Sequence, residues 1–400
     1  QKYWRMQIVN KNNARLDLEK NTVKNVREMV LKAVEARQIS DVKIGAFLSG
    51  GVDSSIIVAA MNELGVKDIN TFSLVHEQRE FDESMYSDLI SETFSTNHNK
   101  ITIGKPEILT SIKEAVDIYD SPSADGINSY LVSKKIKETG IRVALSGLGG
   151  DEIFAGYPQF HYWCLIRKYS KIFPRKHFSK IFKYIFSKKY FQNTSYYKTL
   201  RIFDSEINST LINNIFRNIS NPLIDRAFNF NPPNLKYEKY RYSTGTEKNW
   251  LSEYSIAELS GYTTNVLLKD TDQMSMSNSL EVRVPFLDHQ LVSYLLNIND
   301  SFKKGNYSKK LLIEAFKDLI PQKIYKRKKQ GFTIPIQLWM KDELYHFCQE
   351  SLSNISDSDL FDELVINKMW KQYLTDGSYW MNIWSLVVLS RWLNNNQIKF

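Results

Sequence analysis

The sequence predicts an α/β protein: a doubly wound parallel sheet in the first part and a mainly helical second half. Three observations carry this expectation. Between Lys43 and Ser146 short apolar runs alternate with longer helical patterns, the mark of repeated βαβ units. Glycine-rich polar motifs begin where two of the apolar runs end, at Ser49 and at Ser146. After Tyr157 the alternation stops, and from Tyr254 to Trp392 helical periodicity dominates.

Taken in order, Lys43 to Leu48 reads as a buried strand, Ser54 to Leu64 as a helix and Ile69 to Val75 as a second strand. Asp82 to Phe94 reads as an acid-led helix. Ile101 to Ile103 and Arg142 to Leu145 are further strands, with helices near Pro106 to Tyr119 and Asn128 to Glu138 between them. In open α/β sheets ligands sit beyond the carboxyl ends of the strands, so Ser49 to Ser55 and Ser146 to Glu152 are expected to face one shared site. Four regions are expected: a lead-in over 1–40, an α/β core over 41–160, a basic helical insertion over 161–250, and a helical part over 251–400 that completes the site.

Composition narrows the functional classes. A chain of 400 residues with 42% apolar content can bury a sizeable core. The net charge of +9 permits a polyanionic partner, but a lysine-rich surface or a phosphate site explains it equally. The aromatic basic stretch from Arg167 to Phe191 reads as solvated helices packed through their rings, so neither nucleic acid nor membrane is expected as a partner. Cys164 and Cys348 lie far apart without zinc-ligand spacing, which supports neither a disulfide framework nor a zinc site and suggests a cytoplasmic setting. Met381 to Leu393 is apolar but too short to span a bilayer and is interrupted by Arg391, so a core helix is expected. No signal peptide is evident, and the start at Gln1 suggests that something is missing upstream.

The string SGGVDSS, Ser49 to Ser55, raises the chemical question. Gly50 and Gly51 let the backbone approach an anion, and the N–H groups opening the following helix point at it. Ser49, Ser54 and Ser55 add hydroxyl donors. Asp53 is out of place beside bare phosphate and makes sense as a Mg²⁺ ligand; a capped helix after a tight turn, with Asp53 and Ser54 serving backbone donors, is the alternative. The lysine-containing GxxxxGK[ST] spacing of kinase-type phosphate loops is absent here, which argues against γ-phosphoryl transfer.

SGGVDSS resembles the pyrophosphate loop of the N-type ATP pyrophosphatases, and with it the sheet is expected to be of the adenine nucleotide alpha hydrolase type. LSGLGGDEIFAGY (Leu145 to Tyr157), DQMSMSNSLEVRVPFLD (Asp272 to Asp288), SKKLLIEAF from Ser308 and RKKQGFTIPIQLW from Arg327 resemble segments of the asparagine synthetase family. KYW, Lys2 to Trp4, is similar to the segment that follows that family's N-terminal glutaminase domain. The resemblance implies that Leu48, Leu74, Ser146 and Gly147 wall the adenosine of ATP, and that Asp53 and Asp151 hold Mg²⁺ around the pyrophosphate. It implies that Lys309 offsets charge growing on the α-phosphate. Taken without the resemblance, Asp151 with Glu152 would read as a helix cap and Lys309 as a surface helix residue. Lys329 before Gly331 is a candidate phosphate contact, with a solvated lysine as the alternative. Glu281, Arg283 and Asp288 read as a structural ion-pair network in preference to substrate contacts.

The implied reaction is ATP-dependent amidation of a small-molecule carboxylate, aspartate to asparagine by default, by ammonia or with a glutaminase domain or subunit as its source. A second copy of the chain is a further partner to consider. Two departures bear on the acceptor: Leu148 stands where the family usually has a glutamate between the glycines, and the loop Asp120 to Ser133 differs from that of aspartate amidation. The alternatives are amidation of another acid, such as a uronic acid of a surface polysaccharide, and a tRNA-modifying ATP pyrophosphatase.

Overall fold

Parallel pairing of five short strands organises the first of two compact units. The computed structural model describes residues 3–8, 19–75, 84–102, 105–170, 179–180, 184, 194–217, 222–228, 249–327, 334–356 and 358–398. Lys329 and most of the basic stretch after Ser170 lie outside them. The first unit comprises Gln1–Ile108, Asn128–Tyr162 and Thr244–Thr333, and the second Leu109–Ile127, Trp163–Ser243 and Ile334–Phe400.

In the first unit the strands are β1 (Ile44–Phe47), β2 (Asn70–Val75), β3 (Asn97–Thr102), β4 (Val143–Leu145) and β5 (Glu281–Arg283). Their order is β3-β2-β1-β4-β5, and every neighbouring pair is parallel. The chain runs outward from β1 to β3 and then crosses back to β4 on the other side of β1. That reversal opens a crevice at the carboxyl ends of β1 and β4. The helices α1 (Glu19–Ala36), α2 (Val52–Glu63) and α3 (Ser84–Phe94) supply the lead-in and the first crossovers, followed by α4 (Lys105–Ile118), which belongs to the second unit from Leu109 on, and α5 (Ile127–Glu138). In α1, Val26, Val30 and Val34 recur every four residues and are fully buried, forming the single apolar stripe that a packed surface helix needs. In α2, Ile56 to Ala60 are all fully buried, so this helix lies in the core and carries its polar first turn toward the crevice.

Two strands differ from the sequence reading. β3 begins four residues earlier than expected, through the polar Asn97 to Lys100. There the imidazole of His98 bridges Thr71 (2.9 Å) and Ser73 (3.1 Å) on β2, so hydrogen bonds take the place of the apolar alternation. β5 lies within the half whose periodicity predicts helix. Three residues are too few to show a period, and the strand is held by Glu281 N–H donating to the Arg142 carbonyl (2.8 Å) and Ser146 N–H to the Arg283 carbonyl (2.8 Å).

The charged residues around β5 bond within the fold. Arg283 pairs with Glu281 (2.7 Å) and donates to the carbonyls of Arg37 (2.9 Å) and Ile39 (2.7 Å). Asp288 pairs with Arg37 (2.6 Å) and caps the following helix through the N–H groups of Gln290 and Leu291. Burial works to raise the Asp288 carboxyl, but Arg37 and the two N–H groups outweigh it and hold it below its ordinary range. Asp288→Ala is therefore expected to cost about 0.5–2 kcal/mol at neutral pH, read from denaturant midpoints. Because the folded-state carboxyl is the more acidic, that difference should shrink as pH falls through the folded-state range, below about 4.

Helices build the second unit, among them Tyr345–Ser356, Glu363–Asp376 and Trp380–Asn395. The last contains the expected core helix: Ile383, Trp384, Val387 and Val388 are buried, and it packs against Tyr345–Ser356. Among the described residues no helix is long and apolar enough to cross a membrane.

Candidate active site

Both glycine-rich motifs leave the sheet at its reversal point, one after β1 into α2 and the other after β4 into the short helix α6 (Gly150–Ile153). Two glycines make their approach possible. Gly50 adopts φ +70°, and a Cβ there would lie 2.7 Å from the Ser87 nitrogen. A Cβ on Gly147 would lie 2.7 Å from Cβ of Asp53 and 2.8 Å from the Ser54 nitrogen, so only glycine lets the second loop rest on the first. Gly147→Ala is accordingly expected to lower both the affinity for nucleotide and the melting temperature. Titration with ATP alongside thermal melting checks this.

A cavity of about 390 Å³ opens between the loops. Its lining includes Leu48, Leu74, Ser146 and Gly147 together with Ser49, Gly51, Asp53, Ser54, Asp151 and Lys309. The Ser49 and Ser54 hydroxyls lie 3.1 Å apart, and the Gly51 N–H donates to Ser49 Oγ (3.3 Å). Two expected phosphate contacts stand back from the lining. Ser55 is fully buried, its N–H donated to the Gly51 carbonyl (3.0 Å), and Gly50 packs under Tyr86 with its carbonyl turned to Arg327.

The charged centre is a buried ammonium between two carboxylates. Lys309 precedes α7 (Lys310–Phe316), has φ +58° and is only 4% exposed, unlike a surface helix lysine. Its Nζ contacts Asp53 Oδ2 and lies 2.8 Å from Asp151 Oδ1. Burial alone would lower the Lys309 ammonium, but the two carboxylates outweigh it and hold the group charged, above its ordinary value. Neither aspartate takes the N-cap position of its helix, which falls to Gly51 and Gly149. Two acids from separate motifs thus converge on one positive charge. That donor set, two carboxylates of hard oxygen character, fits Mg²⁺.

Sequence reasoning assigned no place in the site to Arg327, Tyr157 or Leu267, whereas Glu152 lies where it was expected. Arg327 lines the cavity, donates to the Gly50 carbonyl (3.1 Å) and stacks over the Tyr86 ring at 4.1 Å. The run of basic residues 327–329 signals positive charge but not which side chain turns inward. Glu152 and Tyr157 also line the cavity, Tyr157 donating its hydroxyl hydrogen to Glu152 Oε1 at 2.8 Å. Burial pushes the Glu152 carboxyl up to about 7, the Asp151 charge adds to this, and the tyrosine bond opposes it. Leu148 lies on the lining with its N–H on Ser146 Oγ (3.3 Å). A wide π-helical segment, Leu259–Leu267, brings Leu267 to the same wall, a geometry that no 3.6-residue period announces.

The family model for asparagine synthase matches residues 25–394. Over 94% of its length the chain is 28% identical to asparagine synthetase [glutamine-hydrolyzing] 1 of Bacillus subtilis, covering 60% of that protein. It is 30% identical to asparagine synthetase [glutamine-hydrolyzing] 3 of the same organism over 78% of the chain and 48% of the relative. It is also 24% identical to Amidase chyE of Penicillium rubens, over 84% of the chain and 56% of that protein. The chain thus spans about half to three-fifths of the length of these relatives.

Proposed function

Because the chain belongs to the asparagine synthase family, we propose that its site uses ATP to join a carboxylic acid to ammonia, through an acyl-adenylate, releasing AMP and pyrophosphate. The convergence of Asp53 and Asp151 on one cation at the mouth of the sheet carries this reading. The substrate carboxylate attacks the α-phosphorus and the bond to the β-phosphate oxygen breaks. Ammonia then attacks the acyl carbon, AMP leaves with its bonding pair, and the proton released passes to solvent or a nearby base.

The residues divide this work. Leu48 and Leu74 offer apolar surface to the adenine, while Ser146 and Gly147 border the ribose. Ser49, Ser54 and the N–H groups of the Gly51 turn hold the β- and γ-phosphates against the opening of α2. Lys309 meets the α-phosphate as negative charge grows there. Asp53 and Asp151 would hold Mg²⁺, which when bound supplies positive charge beside the departing pyrophosphate. Arg327, fixed by Gly50 and Tyr86, adds a cation on the phosphate side of the cavity.

Aspartate is the default acceptor, supported by the names of the Bacillus relatives. Leu148 favours a second reading, in which the acceptor is another acid such as a uronic acid, since a leucine on the cavity wall cannot take a proton from ammonia. Similarity to a relative named Amidase is in keeping with a family not restricted to one acceptor. Supplying ATP, Mg²⁺ and ammonia with each acid in turn, and identifying products by mass spectrometry, tests the proposal. AMP and an amide are expected, and ADP as the nucleotide product would contradict it. Leu148→Glu is expected to raise KM for the acceptor about tenfold or more through carboxylate burial and leave KM for ATP within about twofold.

A further inference from the structure

A single position between Asp53 and Asp151 cannot hold a lysine ammonium and a divalent cation together. In the structure the ammonium holds it. Lys309 is buried, contacts both carboxylates, and sits in left-handed backbone that a non-glycine residue adopts at a cost. The two ion pairs offset that strain and neutralise acids that would otherwise repel each other a few ångströms apart. An incoming metal must first displace Lys309, and without a new partner the displaced ammonium would remain buried and unpaired. Nucleotide supplies the partner, since an α-phosphate between the two loops offers negative oxygen to Nζ.

We infer that Lys309 is a built-in counter-cation that blocks the metal position in the nucleotide-free chain and leaves it for the α-phosphate when ATP arrives, so that metal and nucleotide enter as one coupled event. This rests on the assignment of Asp53 and Asp151 as metal ligands. The coupling keeps the acids from collecting free divalent cations, and it brings Lys309 to the reacting phosphate only when the metal replaces it.

The test uses the full chain without nucleotide and Mn²⁺ alone as the probe, with binding followed by the electron paramagnetic resonance of free Mn²⁺. Lys309→Met is expected to bind one Mn²⁺ about tenfold or more tightly than the unmodified chain, within the usual span of coupling between sites. Lys309→Arg, which restores a cation, should remain weak, and Asp53→Asn in the Lys309→Met background should lose the gained site. Thermal melting of each variant identifies any that fails to fold; should Lys309→Met be one, Lys309→Gln, which removes the charge but can still donate to both carboxylates, takes its place in every comparison. Equal, measurable Mn²⁺ affinity in the unmodified chain and Lys309→Met overturns the counter-cation role and leaves the metal assignment standing. No Mn²⁺ site in Lys309→Met, or a site that survives Asp53→Asn, overturns the metal assignment and the inference with it.

Discussion

Asp53→Asn is expected to reduce ATP–pyrophosphate exchange by about 10²–10³-fold, the loss typical when one preorganised charge is removed from a reacting centre. The substitution keeps size and polarity but removes one of the two negative charges that meet in the cavity. Bound metal would be held by Asp151 alone, and the departing pyrophosphate would lose its counter-charge. The fold should be affected little. Asp53 lies in the first turn of α2 outside its apolar core, Lys309 keeps Asp151 at 2.8 Å, and an asparagine oxygen still accepts from Nζ. A loss of about 1 kcal/mol would move the melting temperature by a few degrees. Full exchange activity in a folded Asp53→Asn chain would remove the metal-holding role.

Lys309→Ala should produce the second large effect, again about 10²–10³-fold, and it should fall on kcat more than on KM for ATP. In the proposed reaction the ammonium would meet negative charge that grows as the α-phosphate is attacked, and would so bind the transition state better than bound ATP. Stability should change with metal in a way that Asp53→Asn does not show. Removing the ammonium leaves Asp53 and Asp151 facing each other in a partly buried site, side chains 17% and 14% exposed, and their repulsion should lower the melting temperature in metal-free buffer. Added Mg²⁺ should recover most of that loss in Lys309→Ala and do much less for the unmodified chain. A uniform rise in KM with kcat preserved would instead assign Lys309 to ground-state binding.

Much of this arrangement was legible in the sequence because its signals are local. Apolar runs ending at Leu48 and Leu145, each followed by glycine and serine, mark strand-to-loop junctions, and a parallel sheet must bring such junctions to one edge. The boundaries of β1, β2 and α2 fall within one or two residues of the pattern. What failed was non-local or too short. β5 is recognisable only by the strand beside it, and β3 hides its first half behind a histidine that bonds sideways to two hydroxyls. Burial of Lys309 is set by acids more than 150 residues away in the chain, which no window around position 309 contains. Arg327 was obscured by its basic neighbours, and only Tyr86 and the Gly50 carbonyl single it out.

The acceptor is the remaining variable, and the cavity frames it. Glu152 and Tyr157 bring hydrogen-bonding groups to the wall, while Leu148 and Leu267 bring apolar ones. In the proposed reaction an acid that fits would present its carboxylate to the α-phosphate while the rest of the molecule satisfies this mixed surface, because a buried polar group left without a partner costs about 1–3 kcal/mol. A change at Leu148 should therefore re-rank acids without altering the adenylation step common to all of them.

Adenylation of a carboxylate by these two loops, with Lys309, is what the proposed function requires. Its most direct test is exchange of labelled pyrophosphate into ATP by the unmodified chain, measured with Mg²⁺ against a panel of amino acids, dicarboxylates and uronic acids without ammonia. Saturable exchange is expected that requires one class of acid, appears only with Mg²⁺ and is lost in Asp53→Asn. Exchange that proceeds equally without any acid, or release of ADP and phosphate in place of AMP and pyrophosphate, would contradict it.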